Sequence, residues 1–219
     1  MKVLDTTRFG FVFAAILLIS NVQAACQGDI VVVTQQDLDQ VRNCKSYGGN
    51  IVVDNSGAPD LTLNGVELLE GDLVISNNNG LQHLAFPKLQ GINGQLKLLN
   101  NKLLKTVEMK QLYAIRSLEV SVHPALNDLR FPAGLSQADK IVITDTTITK
   151  IDGLKMTSVK DVEISNNIYL KNLSFGNMTS LGSILVSANS PSLHLDVSEF
   201  IQNCVDLCFT KLLFLVESN

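Results

Sequence analysis

The sequence predicts a mainly β protein, a right-handed parallel β-solenoid of about seven coils with a short helix capping its N-terminal end. Three observations predict it. An asparagine-flanked apolar motif starts at Ile51, Leu73, Leu96, Leu118, Ile141, Val162 and Ile184, at spacings of 22, 23, 22, 23, 21 and 22 residues. Within each copy apolar residues alternate at period two, as in strands that send every second side chain inward. Polar residues, often asparagine, separate the two apolar runs of a copy, where the chain has to turn.

We count the seven copies as coils one to seven and the first apolar residue of each as position zero. Position two then holds Val53, Ile75, Leu98, Val120, Ile143, Ile164 and Val186. From coil two, position eleven holds Leu84, Val107, Leu129, Leu173 and Leu195, with Ile151 one residue early; position thirteen holds Phe86, Met109, Phe131, Leu154, Phe175 and Val197. This implies two short strands and about six inward residues per coil. Stacked coils pair strand on strand in parallel, about 4.8 Å apart. A single coil has nothing to cover its apolar face, so the stack is the stable unit.

The asparagines fall at positions four and five: Asn77 with Asn78, Asn100 with Asn101, Asn166 with Asn167, and Asn189 alone at five. Asparagine tolerates left-handed backbone and bonds to nearby backbone groups, so these residues read as a structural corner between the strands of a coil. Identical side chains one rung apart can also bond to each other.

The ends need separate treatment, because a solenoid exposes apolar surface at each terminus. The stretch "VTQQDLDQVRNC", 33–44, fits a short amphipathic capping helix, with Thr34 as N-cap, Asp37 three residues on, and Val33 placed to staple against Leu38. Four cysteines, Cys26, Cys44, Cys204 and Cys208, stand two near each end. In an oxidising compartment they read as end staples. Cys26 and Cys44 bracket the helix, and pairing them would pin the cap to the first coil. Cys204 and Cys208 are spaced for a helical turn or tight loop, and two ligands are too few for a zinc site.

Residues 1–25 read as a secretory signal peptide. Lys2 and Arg8 open it, an apolar run covers Phe11 to Ile19, and "VQA" at 22–24 supplies small residues for cleavage after Ala24 or Ala25. That run is too short for the roughly 20 residues of a membrane span. The expected plan is therefore a signal peptide at 1–25, a disulfide-linked cap at 26–50, solenoid repeats at 51–203 and a tail at 204–219. Without Lys2, Arg8 and Asp5 the chain keeps 15 Lys+Arg against 20 Asp+Glu, a balance that argues against nucleic acid.

Parallel solenoids can be carbohydrate-active enzymes, which place carboxylates together on neighbouring coils. Outward position one reads Val52, Val74, Lys97, Glu119, Val142, Glu163 and Leu185, with no two carboxylates on adjacent rungs. In the neighbouring column stand Asp72, Lys140 and Asp161, and Lys140 beside Asp161 and Glu163 reads as a solvated charge ladder. His83 and His194 share position ten but lie five coils apart, roughly 24 Å. His123, in the asparagine corner of coil four, reads as a turn residue. No nucleophile elbow or phosphate loop is present. No catalytic, cofactor-binding or metal-binding residue is expected. Asn172 in "NLS" and Asn177 in "NMT" are N-glycosylation acceptor patterns in a chain read as secreted.

Together "TQQDLDQVRNCKSYGGNIVV" and "GDLVISNNNGLQHLAFPKLQGINGQLKLLNN" resemble the receptor L-domain-like repeats, themselves leucine-rich-repeat-like, of fungal GPI-anchored cell-wall and sporulation-wall glycoproteins. The likeness covers about residues 26–203. It implies a non-enzymatic, glycosylated extracellular protein of the cell wall or cell surface, contributing to wall organisation by binding or scaffolding wall polysaccharide or wall glycoproteins. Two other readings are a ligand-binding L domain of a receptor-type ectodomain and a carbohydrate-active β-helix. The tail "CVDLCFTKLLFLVESN" departs from the family pattern. Lys211 interrupts its apolar run and no polar spacer with a small-residue acceptor precedes it, so a GPI anchor is not expected from this C-terminus.

Overall fold

Coils two, four and five each bury seven apolar side chains rather than six, and the extra one changes the cross-section. In coil two, Leu73, Ile75, Leu81, Leu84, Phe86, Leu89 and Ile92 are all buried. Leu73 and Ile75 lie on a front strand, Leu73–Ser76, and Leu84 on a second strand, His83–Ala85. Ile92 belongs to a third stretch, where Gly91 and Ile92 pair with Leu68 and Leu69 of the coil before. The expected two strands per coil are thus three, and the solenoid has three sides. The third side shows no alternation in sequence because it contributes one inward residue per coil: Tyr47, Leu69, Ile92, Ile115, Ala138 and Val159.

The computed structural model describes residues 26–176, 178–196 and 212–214. The region read as a signal peptide, Asn177, Cys204 and Cys208 lie outside them. The front sheet runs in strict chain order from Ile30–Val32 through Ile51–Asp54, Leu73–Ser76, Gly91–Leu99, Ala114–His123, Lys140–Thr146, Ser158–Ser165 and Ser180–Ser187 to Leu212–Phe214, every neighbour parallel. The chain is a mainly β parallel solenoid of about eight turns. The added turn is at the start, where Ile30, Val31 and Val32 pair with Ile51, Val52 and Val53. We call it coil zero; its "IVV" is repeated letter for letter at 51–53.

The second side is interrupted. Asp60–Thr62, His83–Ala85 and Thr106–Glu108 form one sheet, while Asp128–Leu135, Lys150–Leu154, Asn172–Ser174 and His194–Asp196 form another. The break falls between coils three and four.

The cap is shorter than the stretch 33–44 implied, with helix only at Gln35–Asp39. Its entry is held by Asp37, whose carboxylate accepts the Val33 amide at 3.0 Å, the Thr34 amide at 2.8 Å and the Thr34 hydroxyl at 3.0 Å. Those donors, Val33 first, hold the Asp37 carboxyl below its usual pKa. Gln35 closes the open edge of the second side. Its Nε2 donates to the Thr62 carbonyl at 2.7 Å and its Oε1 accepts the Thr62 amide at 2.8 Å, as a neighbouring strand would. Beneath the cap Leu38, Val41 and Cys44 are buried, and a disulfide joins Cys44 to Cys26 with Cα atoms 5.6 Å apart.

Position four is left-handed in all seven coils, with φ between 49° and 58° at Asn55, Asn77, Asn100, Val122, Asp145, Asn166 and Ala188. The corner demands this backbone whatever residue occupies it. Asparagine meets it cheaply, whereas β-branched Val122 is strained by about 1–2 kcal/mol.

Candidate functional site

Two side-chain ladders stitch the coils together, and the candidate site lies where the second of them stops. The first ladder is internal, at position five. Asn78 Oδ1 accepts the Ser56 amide at 2.7 Å, and Asn78 Nδ2 donates to the Val53 carbonyl at 3.0 Å and to Asn101 Oδ1 at 2.9 Å. Asn101 Nδ2 donates in turn to the Ile75 carbonyl at 2.9 Å. Further on, Asn167 Oδ1 accepts the Thr146 hydroxyl at 2.6 Å, and Asn189 Oδ1 accepts from Asn167 Nδ2 at 3.1 Å. Asn78, Asn101 and Asn167 are fully buried. Outside this column Asn100 donates to Asn77 at 3.0 Å, while Asn166 is exposed. The paired asparagines therefore divide the work: position four turns the chain and position five satisfies buried backbone groups.

His123 interrupts this ladder. It stands at the strand end before the turn and is fully enclosed, with Nδ1 3.4 Å from the Asn101 carbonyl oxygen and Nε2 without a partner among the described residues. Burial holds the imidazole below its usual pKa, opposed by the carbonyls of Leu98 and Asn101. The folded state thus favours the neutral ring, while the unfolded chain takes up a proton near pH 6.5. Stability is then lost as pH falls below that value. His123→Asn, which restores the ladder residue, is expected to raise unfolding free energy by about 1–2 kcal/mol at pH 7. The gain should widen at pH 5; urea titrations giving the same gain at both pH values would rule out the buried neutral imidazole.

The second ladder is external, at the corner leading into the front sheet, and sequence reading missed it. Position −2 is Gly28, Gly49, Gly71 and Gly94, and position −1 is Asp29, Asn50, Asp72 and Gln95. A Cβ on Gly71 would lie 2.5 Å from the Gly49 carbonyl oxygen, and one on Gly94 the same distance from that of Gly71. Only glycine lets these rungs approach so closely. The Asx side chains then accept the next coil's amide: Asn50 N–H to Asp29 at 2.9 Å, Asp72 N–H to Asn50 at 2.7 Å, Gln95 N–H to Asp72 at 2.8 Å. The Asn50 amide, then the Asn50 side chain, hold the Asp29 carboxyl below its usual pKa. Glycine followed by Asx at the repeat spacing was the signal that could have revealed this corner.

In coils four to six the same corner carries Arg116 with Ser117, Asp139 with Lys140, and Lys160 with Asp161; glycine returns only at Gly182. Backbone bonds take over there, the Asp139 amide reaching the Arg116 carbonyl at 2.8 Å and the Lys160 amide that of Asp139 at 2.9 Å. An open groove of about 570 Å³ crosses the front sheet here, lined by Gln95, Lys97, Arg116, Ser117, Glu119, Asp139, Lys140, Val142 and Glu163. A second groove of about 560 Å³ adjoins it on the third side and shares Arg116 and Asp139.

The charges are only partly paired. Lys97 lies 3.6 Å from Glu119 and Lys160 3.2 Å from Asp139. Lys140 is in register with Asp161, yet no described carboxylate comes within ion-pair distance of Lys140 or Arg116. Asp161 instead accepts the Ser183 hydroxyl at 2.7 Å, and Glu163 that of Ser165 at 3.3 Å. The ladder is therefore a set of available charges rather than closed pairs.

The remaining candidates lie apart from this groove. His83 is exposed on the second side and bonded to the Thr106 hydroxyl at 2.7 Å, and His194 stands in register with Asn172 on the same side. Asn172 is exposed there. Among the described residues no three His, Cys, Asp or Glu side chains gather to hold a metal, and no helix is long and apolar enough to cross a membrane.

The sequence has relatives among known proteins. The chain is 32% identical over 195 residues to the cell wall protein ecm33 of Schizosaccharomyces pombe, a match covering 86% of this chain and 46% of the relative. The chain belongs to the fungal cell-wall glycoprotein family. Within that family it is also 28% identical to the cell surface GPI-anchored protein ECM33 of Candida albicans, over 70% of this chain and 38% of the relative. Sporulation-specific protein 22 of Saccharomyces cerevisiae is 29% identical, over 81% of this chain and 39% of the relative. The chain thus spans less than half the length of these relatives. No family model and no solved structure matches it.

Proposed function

We propose that this chain is an extracellular glycoprotein of the fungal cell wall that contributes to wall organisation by binding or scaffolding wall components and catalyses no reaction. The single observation that carries the binding reading is the front sheet, whose strands stay in parallel register from Ile30–Val32 to Ser180–Ser187 and present straight columns of outward side chains. Such a sheet is a rigid, extended surface that needs little reorganisation to bind. The relatives that are cell wall and cell-surface proteins support the wall as the place where it acts.

Glycosylation at Asn172 fits this arrangement, because the residue projects from the second side and a glycan there leaves the front sheet uncovered. Asn177 is the other acceptor. A non-enzymatic role is in keeping with the front-sheet acids: Asp161 and Glu163 each accept a serine hydroxyl on an open surface, with nothing to exclude water.

The test is retention of the secreted chain on isolated wall glucan, chitin and mannoprotein fractions. Retention on at least one fraction is expected. Passage through all three would sink the binding and scaffolding role, and hydrolysis of any fraction that is lost in Asp161→Asn or Glu163→Gln would overturn the non-enzymatic one.

A further inference from the structure

Resting on that binding role, we propose that the front-sheet groove of coils three to six docks a protein partner whose surface mixes acidic and basic side chains, rather than a polysaccharide. Three breaks in the repeat fall at one level of the stack, at coils three and four, each on a different part of the coil, and the groove lies at the first of them. The glycine–Asx corner ends after Gln95, the buried asparagine ladder is interrupted at His123, and the second side splits between Thr106–Glu108 and Asp128–Leu135. A repeat abandons its own structural rules where something else is being selected, and here the replacements at the corner are charged. Glycine returns at Gly182 as the charged corner ends.

The charge pattern names the partner's chemistry. Down the corner column the signs alternate, Arg116, Asp139, Lys160, and in the adjoining column Lys140 precedes Asp161. A uniformly charged polymer would meet repulsion at every second rung, about 4.8 Å on, whereas a protein surface can match both signs. A neutral glycan lacks charges to match and would gain from aromatic platforms. No outward front-sheet residue at positions −1, 1 and 3, from Asp29 to Ser187, is aromatic. What flanks the charges at the N-terminal end is aliphatic, with Val31 65% exposed in register with Val52, and Val52 with Val74. Aliphatic area beside alternating charges, with Arg116 and Lys140 unpaired among the described residues, is the make-up of a protein-binding surface.

The test compares retention on a wall mannoprotein fraction before and after that fraction is digested with protease, and on glucan and chitin stripped of protein. Retention is expected on undigested mannoprotein only, weakened about tenfold by Lys140→Glu and by raising salt from 0.05 to 0.5 M. Lys171→Glu, an exposed change away from the front sheet, is expected to leave it unaltered. Retention on stripped glucan or chitin, or survival after protease digestion, overturns the protein partner while leaving the binding role intact. Equal loss in Lys140→Glu and Lys171→Glu, or none in either, overturns the groove as its location. No retention on any fraction overturns both proposals.

Discussion

Asn78→Ala is expected to lower the free energy of unfolding by about 4 kcal/mol. The side chain is fully buried and serves three groups: it accepts the Ser56 amide and donates to the Val53 carbonyl and to Asn101 Oδ1. Alanine would leave the amide and the carbonyl enclosed without partners, at about 1–3 kcal/mol each, and would remove the link to the next rung. Asn77→Ala, one residue earlier, is the control. Asn77 is exposed and its left-handed backbone, φ 55°, is the main thing asparagine eases, so about 1 kcal/mol is expected. Urea denaturation of the two variants decides the matter. Equal losses would mean that position five has no special role in the interior.

Breaking the disulfide ranks next, at about 3 kcal/mol for a bridge closing a loop of this size. Cys26 and Cys44 are 18 residues apart, and the loop between them contains coil zero's front strand and the capping helix. The same end is tied by the Tyr47 hydroxyl, which donates to the Gly28 carbonyl at 2.6 Å, and by Gln35 on Thr62. Each coil contacts mainly its neighbours, so the loss should stay local. Cys26→Ser with Cys44→Ser is expected to speed amide exchange in residues 30–53 far more than in coils five and six. Uniformly faster exchange would show that the cap and the distant coils unfold as one unit.

Much of the fold is legible in one sequence because a solenoid repeats its physics. Positions zero and two alternate in every coil, and their burial from Ile51 to Val186 follows from that pattern. The asparagine corner was legible for the same reason, since two adjacent asparagines recur at a fixed place. Coil zero is hard to see although "IVV" at 30–32 repeats 51–53, because no asparagine follows it. The third side is not legible because a single inward residue, such as Ile92, carries no periodicity.

The candidate groove was only half visible. Lys140, Asp161 and Glu163 were recognisable as outward charges, but Arg116, Asp139 and Lys160 gain meaning only once the glycine column beneath them is seen to be a close contact between rungs. By itself the sequence determined the period, the inward columns and the corner, since each follows from local spacing. Tertiary structure alone decided that position-five asparagines face inward and bond between coils, that His123 is enclosed, and that Lys97, Arg116, Glu119, Asp139, Lys140 and Glu163 share one groove. The physical reason is that these properties belong to contacts about 22 residues apart, and burial and hydrogen-bond partnership are set by what the neighbouring coil puts there.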